Sequence, residues 1–169
     1  MPSLASQLLP LSPLDIELKW TAPIPVRKER GRAMAYLIDL ELVPAEPGVY
    51  IFGRQWGTSF EALYVGQAGR LRGRIRTHLN NAKLLRHLAE ARNGKKVVVA
   101  GAFLSKRGQN EKKCLGIAER ALIRHFLAKG HDLVNKQGTR IRRHRIASIG
   151  SHPRRFWPGD LQVEKRKGE

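Results

Sequence analysis

Residues 48–80 read GVYIFGRQWGTSFEALYVGQAGRLRGRIRTHLN, and the order of elements in this stretch decides the fold. Val49–Gly53 (VYIFG) is rich in β-branched and aromatic residues, the composition of a strand. Arg54–Ser59 (RQWGTS) carries Gly57 and reads as a turn. Ala62–Val65 (ALYV) reads as the returning strand, so the two form a hairpin. Gly66–Gly69 (GQAG) is a second turn. The period then changes: over Arg70–Asn80, Leu71, Ile75 and Leu79 recur every four residues, the spacing of a helix face.

Working outward, Ala82–Ala91 continues helically with Leu84, Leu85 and Leu88 inward, and Asn93-Gly94 ends it. Lys96–Leu104 (KVVVAGAFL) reads as a third, buried strand, and Ser105–Glu111 as a polar loop. Lys112–Lys129 is a long helix closed by Gly130, and Leu133–Asn135 a short extended piece. The order β-β-α-α-β-α places the chain in the α+β class. Residues 1–43 form an N-terminal extension interrupted by Pro2, Pro10, Pro13, Pro23 and Pro25. Within it Arg27–Arg32 (RKERGR) reads as a charged turn or the start of a short helix, and Ala33–Leu42 is apolar enough to pack on something. No chemistry is readable there. From Lys136 to Gly159 there is no acid, while arginines accumulate, interleaved with Ile141, Ile146, Ile149, Phe156 and Trp157. Such interleaving fits a segment that folds against the core or a ligand. The expected division is therefore 1–43, 44–139 and a basic C-terminal extension at 140–169.

Composition narrows the partners. The chain has 169 residues, with 32 Lys and Arg against 14 acids, a net charge of +18. A field of that sign attracts polyanions, nucleic acid first and an anionic membrane surface second. The longest apolar run, Val97–Leu104, is too short to span a bilayer, and no basic amphipathic helix stands outside the core helices. Cys114 is the single cysteine and the six histidines are scattered, so a cysteine-based zinc site is excluded and a reduced, cytoplasmic setting fits.

The chemistry gathers at few positions. In the long helix Leu115, Ala118, Leu122 and Phe126 form an inward stripe, and Glu119 sits on or beside it. A carboxylate there is costly unless it is paired or binds a cation; a salt bridge to one of the many arginines and a metal ligand are both open. Arg74 and His78 flank the stripe of the first helix, where an Arg can fork onto a phosphate. Gly48-Val49-Tyr50 and Tyr64-Val65-Gly66 each place a Gly and a Tyr on one strand face, and a Gly leaves room for close approach. Core packing of both tyrosines is the plain alternative.

Together the two triplets, Arg74 ten residues after Tyr64, Glu119 in AERALIRHF and Asn135 in LVNKQG resemble the GIY-YIG nuclease family, over roughly Pro44 to Thr139. The resemblance implies a three-stranded antiparallel sheet flanked by helices and a metal-dependent endonuclease that hydrolyses DNA phosphodiesters. It implies one Mg²⁺ (or Mn²⁺) held by Glu119, Arg74 stabilising transition-state charge, and Tyr50 or Tyr64 positioning or deprotonating the attacking water. Asn135 anchors the site by hydrogen bonds, and His78 contacts a tyrosine or phosphate. Gln67, Arg70, Arg72 and Arg76, with Arg140, Arg142, Arg143 and Arg145, are the expected DNA contacts. Gln67 departs from the Lys that many relatives carry after the second triplet, and the connection between Tyr50 and Tyr64 is slightly long. No recognition or repair-partner domain is readable, which argues against an excision-repair subunit or a multi-domain homing enzyme, and basic extensions able to wrap a duplex favour restriction-like cleavage; monomer and homodimer both stay open. The rival from another class is a non-catalytic basic nucleic-acid binder, which gives no reason for Glu119 beside an apolar stripe.

Overall fold

The computed structural model describes residues 14–32, 35–91, 93–135, 143–148, 150 and 160–164. Its organising element is a strand bonded on both edges. The VYIFG run extends to Gly48–Trp56, here named β4 after the strands β1 (Glu17–Trp20), β2 (Ile24–Lys28) and β3 (Tyr36–Ile38) that precede it. β5 (Ser59–Ala68) returns along one edge of β4, and β6 (Lys95–Leu104) pairs with the other, both antiparallel. Both faces of β4 are buried from Gly48 to Gly53, which is why it reads as a continuous apolar run rather than an alternating one.

Alternation along β4 assigns the layers. Tyr50 and Phe52 point to one face, where α1 (Leu71–His78) and α2 (Ala82–Glu90) bring Leu71, Ile75, Leu84, Leu85 and Leu88. Val49 and Ile51 point to the other, where α3 (Glu111–Ala128) brings Cys114, Leu115, Ala118 and Ile123. Each fully buried Leu or Ile contributes roughly 1.5–3 kcal/mol. Asn81 caps α2 by accepting from Lys83 N and Leu84 N, and Asn110 caps α3 by accepting from Lys113 N.

The fold is α+β, as expected, but the sheet differs from the three strands of the sequence reading. Among the described residues it has six antiparallel strands, ordered β3-β2-β6-β4-β5, with β1 also paired to β6. β1 and β2 lie end to end along the same edge of β6. Glu17 pairs with Leu104 and Trp20 with Gly101, then Ile24 with Val98. Between them the chain steps over one residue, held where Thr21 and Ala100 exchange hydrogen bonds. Ile24, Val26, Tyr36 and Val43 enter the same core as Tyr50 and Leu71, so core and sheet both continue across Pro44. Arg27 and Lys28 finish β2 instead of starting a helix, and the turn behind them closes with Glu29 N donating to Ala35 O.

The hairpin turn is tighter than the RQWGTS reading. Trp56 pairs with Ser59, leaving Gly57-Thr58 as a two-residue turn with Gly57 at φ +56°, the conformation that a type II′ hairpin requires at its first position. A bulge interrupts the ladder further along: Phe52 faces Tyr64 and Gly53 faces Ala62, so Leu63 has no opposite residue. Leu63 and Tyr64 consequently both turn toward the α1–α2 face, while Val65 and Ala62 turn toward α3. The expected extended piece at Leu133–Asn135 runs along the outer edge of β5, with Val134 N donating to Leu63 O at 2.9 Å. Two strands absent from the sequence reading, β7 (Arg143–Ala147) and β8 (Asp160–Glu164), form a separate antiparallel pair.

Candidate active site

The register of β4 and β5 builds the pocket from the two glycine–tyrosine triplets. Tyr50 lies directly opposite Gly66. A Cβ on Gly66 would stand 2.5 Å from Tyr50 Cζ and 2.9 Å from Tyr64 Cε1, so the missing side chain is the seat of both rings. A Cβ on Gly48 would stand 2.7 Å from Leu71 Cδ1 and press on the Gly101 carbonyl. That glycine lets α1 and β6 close on β4 together.

Onto this floor α1 delivers its last residue. His78 is 4% exposed, Tyr50 is fully buried, and Tyr50 Oη lies 2.7 Å from His78 Nε2. The Tyr50 and Tyr64 rings stack at 6.1 Å and 20°, the His78 ring sits 4.9 Å from Tyr64, and Phe52 meets Tyr50 edge-on at 6.0 Å. Burial drives the Tyr50 hydroxyl far above the usual phenol range, with Tyr64 adding to the rise; Arg74 opposes it by a hydrogen bond and by charge. Burial, and then the Arg74 charge, push His78 down to about 4. Both groups are therefore neutral around pH 7. His78 Nδ1 is buried and has no hydrogen-bond partner among the described residues. The bond to Tyr50 is formed in either ring tautomer: the hydroxyl donates to an unprotonated Nε2, or Nε2–H donates to Oη.

Arg74 links this aromatic pocket to the opposite layer. It is exposed on α1, one turn before His78, and its positive charge acts on Tyr50, His78 and Glu119 alike. Glu119 is half-buried on α3. Burial raises its carboxyl above the ordinary range, while a hydrogen bond from Gln67 and the Arg74 charge pull it back. Gln67 Nε2 donates to Glu119 Oε2 at 3.0 Å. No ion pair to Glu119 forms among the described residues, so the salt-bridge alternative is not realised there, and Oε1 has no hydrogen-bond partner among them.

The remaining expected residues separate. Asn135 spends its side-chain amide on a single backbone: Val65 N donates to Oδ1 at 3.2 Å and Nδ2 donates to Val65 O. It fixes the strand between Tyr64 and Gly66. Arg72 turns away, donating from Nε to Val43 O at 3.1 Å and pairing with Glu41 at 3.6 Å. Arg70 and Arg76 are exposed on the α1 side. Arg140 and Arg142 lie outside the described residues, and Arg143 and Arg145 are positions of β7.

Sequence reasoning assigned Gln67 to nucleic acid and missed its bond to Glu119. The period of two that placed Tyr64 with Gly66 also places Gln67 with Val65 on the α3 face, and that was the available signal. It also missed His131, whose Nδ1 accepts from Ala62 N at 2.8 Å and anchors the segment that ends in Asn135.

Among the described residues no group of three His, Cys, Asp or Glu side chains assembles a metal site. Glu119 by itself fits a hard divalent cation that keeps most of its waters and takes one or two carboxylates: it is ionisable, partly desolvated and, among the described residues, without a hydrogen-bond partner at one oxygen. No helix among the described residues is long and apolar enough to cross a membrane. Compared with protein-family models, with curated proteins and with solved structures, the chain gives no match.

Proposed function

We propose that the chain is a metal-dependent endonuclease that hydrolyses DNA phosphodiester bonds, as its resemblance to the GIY-YIG nucleases implies. The observation that carries the reading is the position of Arg74. One exposed guanidinium acts on a buried tyrosine–histidine pair on one side and on a half-buried carboxylate on the other. A phosphate drawn to that guanidinium would share its field with a candidate proton acceptor and a candidate cation ligand, the two things phosphodiester hydrolysis needs. The net charge of +18 supplies the long-range attraction for such a substrate.

In this reading Arg74 receives the phosphate and stabilises the charge that builds on it in the transition state. Glu119 would hold Mg²⁺ or Mn²⁺, which supplies charge neutralisation at the phosphate and leaving oxygen when bound. Tyr50 is held protonated by burial, so it takes a proton from water only by passing its own to His78 Nε2. That relay uses the tautomer in which Nδ1 carries the hydrogen. The substrate assists it: the negative phosphate offsets Arg74, the charge that helps depress His78, and makes the imidazole a better acceptor. Tyr64, stacked on Tyr50 and tilted against His78, keeps the ring geometry and orients the water.

The test is cleavage of supercoiled plasmid and single-stranded circular DNA, with Mg²⁺ or EDTA, by wild type and Glu119→Gln. Metal-dependent cutting that disappears in the variant while DNA binding persists supports the nuclease. Tight, salt-sensitive binding without cutting of either DNA would replace it with a non-catalytic nucleic-acid binder.

A further inference from the structure

We infer that Gln67 is a positioning residue for a divalent-cation site at Glu119 and not a contact to nucleic acid; the inference rests on reading Glu119 as the cation's carboxylate. The Gln67 amide donates to Oε2 of Glu119 at 3.0 Å, which orients the carboxylate and leaves Oε1 without a hydrogen-bond partner among the described residues. The backbone behind Gln67 is rigid. Gln67 pairs with Val49 and the next residue with Gly48, while two residues back Val65 is clamped on its outer edge by Asn135. Room for the amide comes from Gly116, one turn before Glu119 on α3, where a Cβ would already touch Gln67 Nε2 at 3.8 Å. A longer side chain at 116 would take that space.

The amide chemistry suits this task. A carboxylate that is to hold a metal needs an orienting donor that leaves its charge intact, and outer hydrogen bonds of this kind tune ligand orientation and affinity. An amide N–H donates without a positive charge. A lysine, which many of the resembled nucleases carry there, would donate as well but would add a full positive charge that the amide lacks. Gln67 has no role of this sort if its task is phosphate contact, where a cation would serve better than an amide.

The experiment measures Mn²⁺ binding to DNA-free full-length protein by the EPR signal of the free ion, for wild type, Gln67→Leu, Gln67→Ala, Gln67→Lys and Glu119→Gln. Plasmid cleavage against Mg²⁺ concentration and DNA affinity against salt are measured beside it. Gln67→Leu is expected to weaken Mn²⁺ binding by ~10-fold or more. The Mg²⁺ half-saturation for cleavage should rise in step, with kcat at saturating Mg²⁺ near wild type and both DNA affinity and its salt slope unchanged. Gln67→Lys, which keeps a donor to Glu119, is expected to bind Mn²⁺ more tightly than Gln67→Leu does. Wild-type Mn²⁺ affinity in Gln67→Leu overturns the inference, and a loss of DNA affinity there returns Gln67 to the substrate interface. If Gln67→Leu does not fold, wild-type Mn²⁺ binding in Gln67→Ala overturns it instead. Wild-type Mn²⁺ binding in Glu119→Gln removes the cation site itself, and the role of Gln67 falls with it.

Discussion

Acid should destabilise this protein through one buried histidine. His78 is 4% exposed and its imidazole is pushed down to about 4, against an ordinary value of 6.5. In the unfolded chain the ring takes a proton at about pH 6.5; in the fold it does not until about pH 4. Between those values the unfolded state binds more protons, so stability falls as pH falls. It is complete above pH 6.5 and lost progressively toward pH 4. At about 1.4 kcal/mol per pH unit, the gap from 6.5 to about 4 is worth ~3 kcal/mol, a large share of the usual 5–15 kcal/mol of a domain. Other groups move with pH too: His131 is also depressed by burial and acts in the same direction, whereas the raised Glu119 acts in the opposite one. A difference measurement removes them. Urea unfolding followed by circular dichroism, at half-unit steps from pH 8 to 4.5, is compared between wild type and His78→Phe. At pH 8 the variant should be less stable by about 1 kcal/mol, the lost bond to Tyr50. As pH drops the difference should shrink and reverse, with a limiting slope of about 1.4 kcal/mol per pH unit. Parallel curves, or a His78 ring proton titrating near 6.5 by NMR, would refute the reasoning.

Three further outcomes are expected. Gly66→Ala drives a methyl into the Tyr50 and Tyr64 rings and should cost about 1–3 kcal/mol, read as a lower melting temperature, with DNA binding retained. Asn135→Ala strips both bonds from the Val65 backbone and should destabilise by about 1–3 kcal/mol, read as a lower melting temperature. Arg72→Ala should leave the salt dependence of DNA binding unchanged, because its guanidinium serves Val43 and Glu41, whereas Arg76→Ala should lower the salt slope by about 1. Gel-shift titrations across 50–200 mM salt separate the two.

The parts of the fold legible in the sequence were those whose signal is local. The VYIFG run, the four-residue recurrence of Leu71, Ile75 and Leu79, and the stripe on α3 each announce an element within a dozen residues. β1 and β2 do not. ELKW and IPVRK are short, mixed in polarity and separated by Pro23, and they become strands only because β6 offers an open edge some 70–90 residues later. The same limit governs the site. Glycine–tyrosine spacing placed each Gly on the face of its own Tyr, but Gln67 meeting Glu119 is a contact across 52 residues, and Arg72 turning to Val43 depends on where the N-terminal strands lie. The bulge at Leu63, which brings Leu63 and Tyr64 to the same face, left no mark in composition at all.

The pairing of β1 with β6 has a consequence for how the chain comes into being. Glu17 must wait for Leu104, 87 residues later, before its ladder closes. At a synthesis rate of about 5–20 residues per second, that is roughly 4–17 s during which the first strands exist without their partner. Contacts of such long sequence separation also slow folding once the chain is complete. Val98, Ala100 and the aromatic floor beneath them are thus sealed late, by the part of the protein made first. A ribosome that pauses before residue 95 would hold an exposed hairpin and two helices with no third strand to close them, and that is the interval in which this protein depends most on being kept from its neighbours.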